Sequence, residues 1–319
     1  MDFTFHPGVN GSDPWVEFYP YNPSLTAGYA FMAIFGLATL AHIVLMFPYR
    51  AAYFIPFVLG GICTSPALPS PALPSTTHTT IQNRSSNRKK PGETFGYYGR
   101  ARSHNDRTGI GPWAQQQMLL LCAPPLLAAS VYMTLSRMIT ALGAEDHSPI
   151  RPKRLTVLFV LNDVICLLTQ LVGAGLQVTG DVDVIDIGIK AVLAGLVFTL
   201  VVFIGFVTVA VKIQWRLAAY PTRVSAELDG AGVGWKRYMW CLYVVCGCMI
   251  VRNLVRTVEF GAPKGADVRQ REVYIYVFDG GLMAVLMGLW IIWHPGRLVK
   301  RARRVKRGVD RDLGLLGNK

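Results

Sequence analysis

The chain has 319 residues, of which 52% are hydrophobic and only 16% charged, against roughly 25% charged in a soluble domain. Mean hydropathy is +0.35, which excludes a disordered chain, a disulfide scaffold and an ordinary soluble enzyme. The net charge of +13 therefore belongs to loops and tails, where it orients a membrane protein, and does not point to nucleic acid.

Other chemistries fall away by motif. Cys122, Cys166, Cys241, Cys246 and Cys248 lie inside apolar runs and read as small packing residues. There is no Cys-x-x-Cys, no His-x-x-x-His and no Gly-x-x-x-x-Gly-Lys-Ser/Thr. The expectation is no metal, no cofactor, no ATPase motor and no enzyme activity. Residues 1–24 lack Lys and Arg and hold no apolar core, so they read as an outside tail and not as a signal peptide.

Seven spans follow in chain order, giving an all-α, seven-helix membrane bundle. The first runs from Leu25 to Phe47. The second starts at Ala51, and its apolar run stops near Cys63, too short to cross. The third covers Met118 to Ile139, the fourth Leu155 to Val178, and the fifth Ile187 to Val211. The sixth covers Tyr238 to Phe260 and the seventh Val273 to Trp293. Most exceed the length needed for ~30 Å of hydrocarbon at about 1.5 Å per residue. Aromatics such as Tyr19, Tyr21, Tyr49, Tyr53, Trp113, Trp215, Trp235, Trp240 and Trp293 mark the ends as an interfacial belt.

The short second span is followed by residues 64–92, a Pro/Ser/Thr-rich and then basic stretch in which SPALP occurs twice. Such a segment cannot cross a bilayer, because its backbone polar groups would be unpaired. Joining Cys63 to Glu93 makes one span of ordinary length. Residues 64–92 thus read as an insertion into an interrupted helix, of the kind an unspliced intron would leave. A transcript encoding them as the major form would contradict the splicing origin.

Orientation follows from Lys and Arg. Nineteen lie in Arg50, the loops after spans three and five, and the C-terminal tail; eleven lie on the other side. That bias puts the N-terminus outside and residues 297–319 in the cytoplasm, with residues 25–296 as the membrane domain. Asn10-Gly11-Ser12 is then a usable glycosylation acceptor. The tail from Arg297 carries seven basic residues in eleven, either a topology anchor or a lipid sensor.

Ionisable residues inside spans are costly unless partnered, and so are functional candidates. Three sets share i, i+4, i+7 spacing and hence one helix face: Glu93, Tyr97 and Arg100; Arg252, Arg256 and Glu259; Glu272, Tyr276 and Asp279. Arg252 and Arg256 repel each other unless acids answer them, and Glu272 and Asp279 are the nearest supply. Asp163 and Gln170 form a fourth set in span four, beside Gly173 and Gly175, which permit close helix approach. These groups read either as pins between helices, as a lining for an amphiphile's head group, or as proton carriers. His42 reads as a packing residue, and Pro124-Pro125 as a kink or a hinge.

The order of these motifs resembles the fungal RTA-like family, also called the lipid-translocating exporter family. The resemblance rests on Tyr21-Asn22-Pro23-Ser24, Glu93 with Gly96-Tyr97 and Arg100, Ala123-Pro124, Asp163 with Gln170, and Gly195-Leu196. It continues through R-x3-R-x2-E from Arg252, E-x3-Y-x2-D from Glu272, and His294-Pro295-Gly296. Thr199 departs from it, since the family pattern has Gln there. The resemblance implies seven spans, a fungal plasma-membrane protein, and movement of sphingoid long-chain bases or resistance to sterol-like toxins. Membrane lipids and an amphiphilic small molecule are the partners it implies. A translocator fits, and so does a receptor-like sensor of lipid asymmetry, although Ser136-Arg137-Met138 and the lack of Asn-Pro-x-x-Tyr depart from common receptor switches.

Overall fold

The computed structural model describes residues 4–6, 15–17, 25–64, 110–176, 182–261 and 275–316. Asn10, residues 65–92 of the expected insertion, the set Glu93, Tyr97 and Arg100, and Glu272 lie outside the described residues, whereas Thr64 ends a helix. Apart from a short antiparallel pair, β1 (Thr4–His6) and β2 (Trp15–Glu17), the fold is helical.

Helix α1 is Leu25–Tyr49, and a 3-10 turn at Ala52–Phe54 leads into α2, Ile55–Thr64. Then come α3 (Ile110–Leu142), α4 (Pro152–Leu176) and α5 (Val182–Ala219). A short α6 (Arg223–Gly230) precedes α7, Trp235–Gly261. A π-helical turn at Ile275–Gly281 continues into α8 (Leu282–Ile292), and α9 (Pro295–Leu316) ends the chain. Among the described residues, six helices are long and apolar enough to cross a membrane, and Ala52–Cys63 is a shorter apolar one. The chain is a multi-pass membrane protein, and the seven expected spans map onto these segments.

Side-chain placement is inverted relative to a soluble protein. In α4, Val157, Leu158, Leu161, Val164, Ile165, Leu168 and Val172 are exposed, whereas Asp163 and Gln170 are buried. Apolar groups outward and polar groups inward is stable only where the surroundings are hydrocarbon. Leu155, Phe159, Cys166 and Gly173 complete the inward stripe at helical spacing.

Close backbone approach sets the packing. A Cβ on Gly173 would stand 2.7 Å from the Gly188 carbonyl oxygen of α5, so glycine is required there. Gly175 has nothing within 4 Å; the pairing of both glycines in close approach is corrected to Gly173 alone, because two residues along a helix point to nearly opposite sides. A Cβ on Gly61 would collide with Thr39 Oγ1 and one on Gly60 would lie 3.0 Å from Ala123 O, so α2 sits tightly between α1 and α3. Tyr132, Phe159, Phe203 and Phe206 fill the centre, with Tyr132 and Phe206 edge-to-face at 4.6 Å.

One belt residue is reassigned. Trp215, Trp240 and Trp293 are exposed, as interfacial anchors would be, but Trp235 is only 2% exposed. The cause is α6, which folds back so that Asp229 accepts the Trp235 indole N–H at 3.2 Å. Thr222 holds α6 in place. Its hydroxyl accepts from Ser225 N at 3.2 Å as an N-cap, and donates to the Leu142 carbonyl of α3 at 2.7 Å. Gly143, at φ +65, closes α3 in the left-handed conformation that favours glycine. The C-terminal basic segment is a further difference: α9 buries Leu298, Val299 and Ala302 against the bundle and so belongs to it.

Candidate functional site

The charged groups of α7 and of the Ile275–Gly281 turn converge. Arg252 Nε pairs with Asp279 Oδ1, and Arg256 Nη2 donates to Asp279 Oδ2 at 2.8 Å. Arg256 Nη1 donates to Glu259 Oε2 at 3.1 Å, and Arg252 Nη1 to Asn253 Oδ1 at 3.3 Å. Arg252, Arg256 and Asp279 are all buried. One carboxylate thus bridges two guanidiniums that sit one turn apart and would otherwise repel. In this set, two positive charges meet two negative ones.

The π-helical turn decides where Tyr276 and Asp279 point. Its wider coil breaks the single face expected from α spacing. Asp279 turns to α7, while the Tyr276 ring lies stacked on Phe31 of α1 at 5.3 Å and 14°. The expectation that Tyr276 and Asp279 share one face is corrected accordingly.

Beside the ion pairs lies a small cavity that is partly open to the surroundings. Its walls come from four helices: Pro124, Pro125 and Ala128 of α3, Asp163 and Gln170 of α4, Leu196, Thr199 and Phe203 of α5, and Met249, Arg252, Asn253, Arg256 and Phe260 of α7. The structure therefore brings together Asp163, Gln170, Arg252 and Arg256 from the candidate residues. Glu259 and Asp279 stand behind the arginines as their partners. Polar groups on apolar walls are the composition of a site for an amphiphile.

Asp163 stands out among them. It is 2% exposed, and neither carboxyl oxygen has a hydrogen-bond partner. The Tyr132 hydroxyl is its polar neighbour and the nearest donor to it among the described side chains. A buried polar group left unpaired carries a desolvation cost of about 1–3 kcal/mol, and a charged one more. Gln170 packs on the bare face of Gly195, where a Cβ would lie 2.8 Å from Gln170 Cγ. Thr199, one turn on, turns its hydroxyl back to the Gly195 carbonyl at 2.8 Å and lines the cavity.

Sequence reasoning missed Asn253, and it named Leu196 only within the family motif and not as part of an apolar wall with Phe203, Met249 and Phe260. Asn253 could have been found, since it is a polar residue next to Arg252 inside a span. The apolar walls carry no signal of their own. Pro124-Pro125 was singled out and does line the cavity, within a helix that continues through both prolines. His42 lies elsewhere. It is fully buried, and its Nε2 donates to the Met287 carbonyl at 3.1 Å.

These observations define a polytopic helical membrane protein with a charge-paired polar cavity between its helices. The chain belongs to the RTA1-like protein family, whose description matches residues 91–302. Protein RTA1 of Saccharomyces cerevisiae is 27% identical over 304 residues, covering 88% of this chain and 85% of that protein. Protoporphyrin uptake protein 1 of the same yeast is 29% identical over 195 residues, or 61% of this chain and 62% of the relative. Lipid-translocating exporter-like protein RTA1 of Ajellomyces capsulatus is 25% identical over 197 residues, or 60% and 61%. No solved structure matches the chain.

Proposed function

We propose that the protein translocates amphiphilic lipids, with sphingoid long-chain bases or sterol-like toxins as cargo, and so contributes to lipid export and toxin resistance. The observation that carries this reading is the unpaired Asp163 carboxylate in a cavity whose arginines are already neutralised. With Arg252 and Arg256 answered by Asp279 and Glu259, Asp163 is the carboxyl group of the described cavity that no described arginine takes. That favours an ammonium head group over a carboxylate one. Gln170, Asn253 and Thr199 offer hydrogen-bond partners for neighbouring hydroxyls, and the apolar tail leaves between the helices into lipid. The names of relatives support the class of cargo: one is called lipid-translocating exporter-like. Glu93, Tyr97, Arg100 and Glu272, which lie outside the described residues, belong to the same proposal as candidate binding residues.

The test is a reconstituted one. Purified protein in liposomes is given a labelled long-chain base, and translocation is timed for wild type and Asp163→Asn. Wild type moves the label, and the variant is slower by at least about tenfold, the effect of losing one charge-assisted contact. No movement by the wild type, or equal rates for the two, overturns the reading. Residence in the plasma membrane with the N-terminus outside belongs to the same proposal. A glycan on Asn10 that a glycosidase removes from intact cells would support it, and a tag at the N-terminus sealed from outside reagents would contradict it.

A further inference from the structure

Directed movement of a cargo needs a driving force, and the carboxyl that lines the cavity supplies a route to one. Asp163 is buried, and neither of its oxygens has a hydrogen-bond partner. Groups of several kinds surround it, and none of those described takes its charge. From α7, Arg252 and Arg256 line the same cavity with Asp279 and Glu259 already on their guanidiniums. From α3 come the uncharged Tyr132 hydroxyl and the walls Pro124, Pro125 and Ala128. From α5 come Leu196, Thr199 and Phe203, which do not titrate, and the Thr199 hydroxyl is directed to the Gly195 carbonyl. Helix α4 itself adds Gln170 and the Cys166 thiol.

A bare carboxylate in that position is costly, because burial removes its water and no protein group replaces it. Two ligands remove the cost, and both do so by cancelling the charge. One is a proton. The other is an ammonium, which pairs with the carboxylate oxygens. One carboxyl carries one negative charge, so the two ligands are alternatives. The carboxylic acid and a head-group ammonium give a carboxylate–ammonium pair and one proton released to water. Counted from the ammonium in water, one proton leaves for each head group that binds. The Asp163 group is neutral with either ligand and charged with neither. The bare anion is therefore the form least able to pass through a desolvated, closed conformation within the membrane, and exchange becomes obligatory.

We propose that Asp163 is the exchange site of an antiporter, holding either a proton or the ammonium of the cargo, one for one, so that a proton gradient drives the amphiphile. This inference rests on the transport reading of the same cavity and names its coupling ion. The exchange is electroneutral, since one positive charge replaces another. The partly open cavity admits head group and proton alike. His42 takes no part, because it lies among aromatic rings with its Nε2 on the Met287 carbonyl.

The probe is a labelled N,N,N-trimethyl long-chain base, whose quaternary nitrogen holds no proton and cannot cross as a neutral amine. Full-length protein in liposomes receives it in the outer leaflet under three conditions: no gradient, a lumen about one pH unit more acidic, or an imposed potassium diffusion potential without a pH gradient. A labelled primary base is run beside it with protein-free movement subtracted, and the same responses are required of whichever base moves. One-for-one exchange raises the inner-to-outer ratio about tenfold in the acidic lumen. A potential that would drive a lone cation by about fiftyfold per 100 mV leaves the ratio unchanged. Asp163→Glu keeps the pH response and Asp163→Asn loses it, at equal amounts of folded protein. Movement by wild type that ignores the pH gradient, or follows the voltage, overturns the exchange and leaves the transport reading standing. A full pH response in Asp163→Asn, or its loss in a folded Asp163→Glu, overturns Asp163 as the exchange site. No movement of either base by wild type overturns the transport reading and the exchange with it.

Discussion

At one end of the bundle, where α7 finishes and the Ile275–Gly281 turn begins, charged side chains pair with one another beside open space. At the other, where α1 finishes, His42 and His294 are fully buried among Phe54, Phe57, Trp290 and Tyr49. His294 stacks on Phe54 with ring centroids 4.6 Å apart, and its Nδ1 accepts the Gly296 N–H at 3.1 Å. A Cβ on Gly296 would stand 2.7 Å from Tyr49 Cβ, so the His-Pro-Gly turn has no room to loosen. Both regions bury polar groups in a membrane protein. The aromatic end gives each histidine one backbone partner, leaves His42 Nδ1 and His294 Nε2 without one, and fills the remaining volume with rings. The charged end answers arginine with carboxylate, which fixes geometry without filling space, and leaves one carboxylate over. The first arrangement suits a hinge-free anchor and the second a site that receives something.

The largest effect in this comparison belongs to Asp279→Asn, which strands two buried guanidiniums. Chemical unfolding of the detergent-solubilised protein should show a loss of about 3–5 kcal/mol, and expression at wild-type stability would mean that the pairing is not structural. Next comes Gly173→Ala, which drives a methyl into the backbone of α5. About 1–3 kcal/mol should be lost, with Gly175→Ala, facing open space, unchanged within about 0.5 kcal/mol. A smaller effect of opposite sign is expected for Asp163→Asn. Removing an unpaired buried carboxylate should stabilise the protein by about 1 kcal/mol even as translocation falls. A loss of stability would make Asp163 a pin between helices. At the aromatic end, His42→Phe keeps the ring and removes one hydrogen bond, so unfolding should shift by only about 1 kcal/mol with translocation unaltered.

Much of the architecture was legible because a bilayer imposes it. Every span must satisfy its own backbone and carry apolar side chains outward, so α1, α4, α5 and α7 appear in the sequence as long uncharged runs. The polar candidates were legible for the same reason, since Asp163, Arg252, Arg256 and Asp279 interrupt those runs. Their partners were less so. The spacing of Glu272, Tyr276 and Asp279 describes one face only if the helix keeps an α turn, and the π-helical turn sends Tyr276 to Phe31 instead. Trp235 reads as an interfacial aromatic until α6 folds over it.

By itself, the sequence determined that this chain lives in a membrane, roughly where it crosses, and which ionisable groups had to find partners there. Those conclusions depend on the transfer cost of one residue at a time. Only the tertiary structure decided that Asp279 serves both arginines while Asp163 serves none, and that a cavity lies between them. Pairing depends on which helices are neighbours and how each is turned about its axis, and that is set by the close approach at Gly60, Gly61 and Gly173 and by the wider turn before α8. The charge fraction of 16% thus implies a membrane protein, and the buried Asp163 carboxyl, which no described arginine takes, marks the proposed site.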